Sequence, residues 1–156
     1  MKKKYFLLFL IPFLILLSCV DGNYDPEGRW ELNAQKADDC EENDSFDTAF
    51  EPSQIDLLYL NFYDDLIDYY LYSFIAGRTY TLTADVPFEH LSDTTINVYN
   101  TAHDMVVTST APSEDNRDSV IEGFTAEADS YYVLVVNTSS SGTGPLRGYM
   151  LTIEEE

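Results

Sequence analysis

Basic residues are scarce in this chain of 156 residues: 8 Lys and Arg stand against 28 Asp and Glu, and the formal charge is −20. Nucleic-acid binding needs clustered Lys and Arg to neutralise phosphates, so this composition excludes it. The same deficit excludes docking on an anionic membrane surface by charge. No uninterrupted apolar run reaches the roughly 18 residues that a membrane-spanning helix needs.

Helical periodicity is also missing, since no segment keeps a 3.6-residue apolar repeat for three turns. This absence argues against a helical bundle. The chain is nevertheless 45% hydrophobic and 14% aromatic, which is ample apolar surface for one folded core. An acidic, aromatic-rich globular domain remains.

The N-terminus has the layout of a secretory signal. Lys2, Lys3 and Lys4 precede the apolar stretch from Tyr5 to Leu17, which is typical of a signal-peptide hydrophobic region. The stretch ends in Leu16-Leu17-Ser18-Cys19, which resembles the lipobox of bacterial lipoproteins. The resemblance implies that residues 1–18 are removed and that Cys19 is acylated. An ordinary secretory signal or an uncleaved anchor are the alternatives.

Lipidation would decide the location of the protein, because two or three acyl chains anchor a protein firmly to a membrane. Val20 follows Cys19 in place of the Asp that retains lipoproteins at the inner membrane of enteric bacteria. We therefore expect the outer membrane or the cell surface. Residues 19–40 are expected to be the lipidated cysteine and an acidic tether. With Cys19 acylated, Cys40 would be a free thiol or would pair with another chain.

The chain after the tether, residues 41–156, carries short runs rich in Tyr, Thr, Val and Ile, separated by turn residues. Their alternation of apolar and polar residues predicts a single all-β domain, an antiparallel β-sandwich or jelly roll of about eight strands. The predicted strands are Leu57–Phe62, Asp68–Phe74, Arg78–Val86, Thr95–Asn100, Met105–Ser109, Ser119–Ala126, Tyr131–Asn137 and Leu146–Ile153.

The same alternation predicts the core face of each strand, because every second side chain points to the same side of a sheet. The predicted core consists of Tyr70, Tyr72, Phe74, Tyr80, Leu82, Val86, Ile96, Val98, Phe124, Tyr131, Val133, Val135, Tyr149, Leu151 and Ile153. Tyr69, Tyr99 and Tyr132 fall on the opposite face.

Five segments follow one another in a recognisable order. They are the acidic motif EENDSFDTA from Glu41 to Ala49, the hairpin from Asp68 to Leu82 with DYYLY and AGRTYTL, the strand from Asp93 to Asn100, the pair from Phe124 to Val133, and the closing GYMLTI from Gly148 to Ile153. Together, over residues 41–153, they resemble the bacterial pre-peptidase C-terminal domain. The departures are Asp129 for a turn Gly, Glu122 for an apolar residue, and Asp104 for a hairpin Gly. Glu122 could mark a bulge.

The resemblance implies a non-catalytic β-sandwich that accompanies secreted enzymes, with calcium or collagen as ligands in some members. Carried over to matching positions, the candidate Ca²⁺ ligands are Glu41, Asn43, Asp44, Asp65 and Asp68. Oxygen donors of this kind suit Ca²⁺. The alternative is that Asn43, Asp44 and Ser45 form a turn while the carboxylates are solvated.

No pattern in the sequence predicts an enzyme. His90 and His103 lie outside any metal-binding or catalytic motif and are expected to be surface loop residues. A second acidic stretch, Glu114, Asp115, Asn116 and Asp118, is interpreted as a solvated loop.

Two functions remain in competition. One is an envelope-anchored module that binds a protein, peptide or glycan through Tyr69, Tyr99 and Tyr132. The other is a structural spacer, or an accessory subunit of a secreted peptidase or envelope complex, whose outward tyrosines are ordinary cross-strand pairs.

Overall fold

The computed structural model describes residue 40 and residues 42–52, 58–87, 90–109, 117–140, 142–144 and 146–156. The predicted signal peptide and nearly all of the predicted tether lie outside this part of the chain. The described residues contain eight strands: β1 Leu58–Asn61, β2 Ile67–Ser73, β3 Thr79–Asp85, β4 Thr94–Tyr99, β5 Met105–Thr108, β6 Ser119–Thr125, β7 Ser130–Asn137 and β8 Gly148–Glu155. No helix that could cross a membrane occurs among them.

The strands form two four-stranded antiparallel sheets. The first sheet has the order β1-β8-β3-β6 and the second sheet the order β2-β7-β4-β5. In strands β2, β3 and β4 every second residue is buried and the residues between are half-buried or exposed, because one face of each sheet packs on the other sheet. The predicted all-β sandwich is confirmed.

Two strands depart from the predicted pattern for local reasons. Strand β8 begins at Gly148 and not at Leu146, because Leu146 has a left-handed φ of 58°, outside the range of regular extended backbone. In β6, Glu122 and Gly123 lie opposite the single residue Thr81, since the register shifts between Tyr80 and Leu82. Gly123, with φ 66°, accommodates this bulge, and Glu122 is exposed.

The core lies between the sheets and contains the predicted residues. All of them are buried except Val86, which is partly buried against the core. Leu60, Phe62, Ala84, Ile121, Ala126 and Cys40 complete it. Much of the packing is aromatic: Phe74 contacts Tyr80, Phe124 and Tyr131 edge-to-face at 4.9, 5.7 and 5.6 Å between ring centroids. Such geometry is the favoured one for aromatic pairs.

A polar group of three residues, the buried triad, crosses this apolar core. Tyr149 of the first sheet donates its hydroxyl hydrogen to Asp68 Oδ2 of the second sheet. Its oxygen also lies 2.8 Å from the hydroxyl of Tyr70. All three residues have no exposed surface. Burial, and after it the charge of Asp68, raises the pKa of the Tyr149 phenol well above its ordinary value. Tyr149 therefore remains a donor at neutral pH.

We expect Tyr149→Phe to destabilise the domain, because Asp68 would lose a hydrogen bond that lies wholly inside the core. A hydrogen bond to a charged group contributes about 1.5–3 kcal/mol. The measurement is the free energy of unfolding in urea at pH 7.

Tyr80→Phe is the matched control. It removes a hydroxyl from a neighbouring strand that accepts one bond from the Ile75 N–H at 2.9 Å. Ile75 is exposed, so water can replace that bond and the loss should be smaller. Equal destabilisation by the two variants would contradict the assigned role of Tyr149.

Candidate functional site

The outer face of the second sheet carries the three tyrosines that the alternation predicts there. Tyr69 lies on β2, Tyr132 on β7 and Tyr99 on β4, and all three are half-buried. Tyr99 is directly opposite Tyr132, while Tyr69 is opposite Leu134, the outward neighbour of Tyr132 along β7. The three rings therefore form a group across three adjacent strands.

Phe46 occupies the centre of this group. Its ring makes edge-to-face contacts with Tyr69, Tyr99 and Tyr132, with centroids 5.0, 5.5 and 4.9 Å away. The His103 ring stacks on the Phe46 ring, with centroids 4.0 Å apart and 9° between planes. We call these five residues the aromatic cluster. Each such ring pair contributes about 0.5–1.5 kcal/mol beyond the area that it buries.

His103 reaches the cluster from the tight β4–β5 hairpin. It has a left-handed φ of 65°, a conformation that costs a non-glycine residue of order 1–3 kcal/mol. The Asn100 side chain stabilises the turn, because its Oδ1 accepts the Ala102 and Asp104 N–H groups at 2.9 Å each. The family resemblance puts Asp104 at the position of a hairpin glycine. In the structure the residue with left-handed backbone is the preceding one, His103.

Phe46 reaches the cluster on a segment that runs beside β2, which we call the N-terminal segment (residues 42–52). Asn43 O accepts the Tyr69 N–H at 2.9 Å, and Phe50 forms a parallel bridge with Tyr70. Between them Ser45 and Thr48 close a turn, with their side-chain oxygens 2.8 Å apart. Because β2 is an edge strand, this segment also pairs part of an edge that would otherwise be open.

The surroundings of Tyr69 affect the protonation of its phenol. Burial raises the pKa of the Tyr69 phenol, and the neighbouring Tyr99 and Asp65 raise it further. Tyr69 is therefore protonated at neutral pH.

The candidate calcium ligands are only partly brought together. Asn43 is buried beside Tyr69, and both carboxylate oxygens of Asp65 are shielded from solvent. Asp68 points into the core, where it accepts the Tyr149 bond, whereas Asp44 is exposed. Glu41 lies outside the described residues. Within the described ranges, no group of three or more His, Cys, Asp and Glu side chains is arranged to hold a metal ion.

The two-sheet architecture has a solved counterpart, the pre-peptidase C-terminal domain of a collagenase from Bacillus anthracis. The two structures superpose with a TM-score of 0.53 over 68% of this chain and 94% of that one, at 12% identity. This chain has the fold of a pre-peptidase C-terminal domain. No family model and no curated protein matches the sequence.

One histidine of this pre-peptidase C-terminal fold differs from expectation. His90 is not a surface residue: it is 3% exposed, and its Nδ1 accepts the Gly148 N–H at 2.7 Å. Its carbonyl accepts a bond from the Arg117 guanidinium. His90 therefore connects the β3–β4 loop to the start of β8. The sequence did not predict the burial of His90, because its hydrogen-bond partners are far from it in the sequence. His103 is exposed, as predicted.

Two further expectations concern the borders of the fold. Cys40 is buried in the core and disulfide-bonded, so it is not a free thiol; its partner lies outside the described residues.

Of the second acidic stretch only Asp118 is described, and its Oδ1 accepts the Val86 N–H at 2.7 Å. Burial, and after it the charge of Asp118, raises the pKa of Asp85.

Sequence reasoning missed Phe46 and His103 as members of the aromatic cluster. The one signal for Phe46 is that it is an apolar residue within an acidic motif, EENDSFD. Its isolation in a polar segment suggests that it packs on something, but nothing in that pattern identifies the surface.

Proposed function

We propose that this chain is a non-catalytic interaction module of the bacterial cell envelope. Its sandwich would bind an extracellular or periplasmic protein, peptide or glycan at the aromatic cluster. The supporting observation is that three half-buried tyrosines from three strands lie around one point on an outer face. Tyrosine is enriched at protein interfaces because its ring contributes apolar area and its hydroxyl a hydrogen bond.

The roles of the two histidines support a non-catalytic reading. His90 uses Nδ1 to accept a backbone bond, and His103 stacks on Phe46. A general base needs a nitrogen within hydrogen-bond reach of a reacting group. Both histidines are instead engaged in holding loops.

Collagen is the first ligand to test, because the solved neighbour is a domain of a collagenase. We expect the wild-type chain to be retained on immobilised collagen and Tyr132→Ala to lose most of that retention, since Tyr132 contacts Phe46 and His103. Retention is measured by surface plasmon resonance.

Tyr63→Ala is the matched control for this experiment. Tyr63 lies in the β1–β2 connection and belongs to none of the three strands that carry the cluster. Equal retention of Tyr132→Ala and wild type would exclude the aromatic cluster as the collagen site.

The second candidate is the structural spacer or accessory subunit. One observation favours it: Phe46 already fills the centre of the cluster, as expected if the tyrosines serve only to hold the N-terminal segment. This function requires no retained ligand, so retention of the chain on collagen through the aromatic cluster would exclude it.

Calcium enters both proposals as a stabilising ion. Asn43, Asp44 and Asp65, with Glu41, would supply carboxylate and amide oxygens, which suit Ca²⁺. Asp68 is set aside as a ligand, because its side chain accepts the Tyr149 bond inside the core. Support comes from Asn43 and Asp65, which both lie beside Tyr69, in a chain of formal charge −20. A bound divalent cation would relieve part of that repulsion.

We expect millimolar Ca²⁺ to raise the melting temperature of the chain by several degrees relative to EDTA, because a ligand that binds only the native state stabilises it. Asp44→Ala should abolish the rise. Asp44 is exposed, so the change leaves the core intact. Asp47→Ala, an exposed carboxylate in the same segment, is the control and should keep the rise. An unchanged melting temperature of the wild type would contradict a stabilising calcium site.

The envelope location rests on acylation of Cys19. A sulfur in a thioether cannot also form a disulfide, and the chain has only two cysteines. The disulfide at Cys40 therefore limits this proposal: in an acylated chain the partner of Cys40 must belong to another molecule.

We expect cells fed a palmitate analogue to label the wild-type chain and the Cys40→Ser variant, but not Cys19→Ser. Labelling is read on a denaturing gel after detergent extraction. An unlabelled wild type that runs as a monomer without reductant, and whose two cysteines resist alkylation until reduced, would instead establish an intramolecular disulfide and overturn the lipid anchor.

A further inference from the structure

We propose that Phe46 is an internal occupant of a binding site for an aromatic side chain, and that a peptide ligand binds by placing its own aromatic ring where Phe46 lies. The inference deepens the proposed function and rests on it. It identifies the ligand class, a peptide with an exposed aromatic residue, and the element that regulates access.

The first argument is the shape of the site without Phe46. Tyr69, Tyr99, His103 and Tyr132 form an aromatic cage around one ring position. The three tyrosine rings are nearly perpendicular to the Phe46 ring, and the His103 ring is nearly parallel to it. The cage also has internal contacts, since His103 and Tyr132 meet edge-to-face at 5.4 Å. Tyr69, Tyr99 and Tyr132 are positioned by strand register. A cage with these internal supports can keep its form when its occupant leaves.

The second argument is the strain at His103. A left-handed non-glycine residue is uncommon, and where one is found it suggests a function for the strained position. Glycine would relieve the φ of 65° at once, but it would remove the ring that closes the cage over Phe46. The hairpin thus retains a strained residue whose side chain contributes to the site.

The third argument is the way in which Phe46 is attached. Bonds to β2 hold the N-terminal segment at Asn43 and Phe50. The turn between them is closed by Ser45 and Thr48 and carries the exposed residues Asp44 and Asp47. Phe46 itself is not part of the buried core. Its ring can therefore leave the cage without disturbing the packing between the sheets.

Because Phe46 is attached in this way, it competes with the aromatic ring of a ligand for the cage. A tethered ring has a high effective concentration at the cage, so an external ring meets a mostly occupied site. The apparent affinity of a ligand falls by the fraction of open sites, and removing the occupant should restore it.

The test uses the segment of this chain itself as the probe. A fluorescent peptide of residues 42–50, ENDSFDTAF, is titrated with the full chain in detergent and followed by anisotropy. We expect Phe46→Ala to bind the peptide at least about tenfold more tightly than the wild type does. A peptide with Ala in place of Phe46 should not bind, and adding Tyr132→Ala to the open variant should abolish binding of the natural peptide.

Circular dichroism shows whether Phe46→Ala is folded. If it is not, Phe46→Leu takes its place, because it keeps apolar bulk but lacks a ring. A folded open variant that fails to bind the peptide overturns the proposal, and so does equal binding of the two peptides.

This experiment needs no collagen, so the two proposals can fail separately. Peptide binding without collagen retention would preserve the cage and exclude collagen. Collagen retention without peptide binding would preserve the interaction module and leave Phe46 as ordinary packing.

Discussion

The hydrogen bond from Tyr149 to Asp68 is the constraint on which the rest of the sandwich depends. A carboxylate with no exposed surface requires a donor, and Tyr149 provides it from the opposite sheet. A slip of one residue in β2 would turn Asp68 outward and Tyr69 inward. The bond therefore opposes such a slip more strongly than apolar packing alone, which would accept a tyrosine ring at either position.

The orientation of β2 carries directly into the aromatic cluster. With Asp68 and Tyr70 facing the core, Tyr69 must face outward. The Tyr69 backbone binds Asn43 and Phe50 on either side of the turn that holds Phe46. One strand thus connects the buried triad to the site through a single alternation. A change in the triad that alters the orientation of β2 should consequently displace Phe46, although the triad and Phe46 lie on opposite faces of the sheet.

The parts of this structure that could be predicted are those that repeat along the chain. Alternation was enough for eight strands, for the core, and for the outward position of Tyr69, Tyr99 and Tyr132. Phe46 and His90 could not be predicted in the same way, because each meets residues that are distant in sequence and has no periodic neighbours. The start of β8 was wrong because the left-handed backbone of Leu146 has no signal in a residue type that seldom adopts it.

The N-terminal segment has two tasks that are coupled by geometry. It fills the aromatic cage with Phe46, and it pairs with the edge of β2 through Phe50. A peptide that only inserted a ring would compete for the first task and leave the edge paired. An extended peptide with an aromatic residue could compete for both, since open edges accept added strands. The site therefore favours a ligand that resembles the segment it replaces, in backbone as well as in side chain.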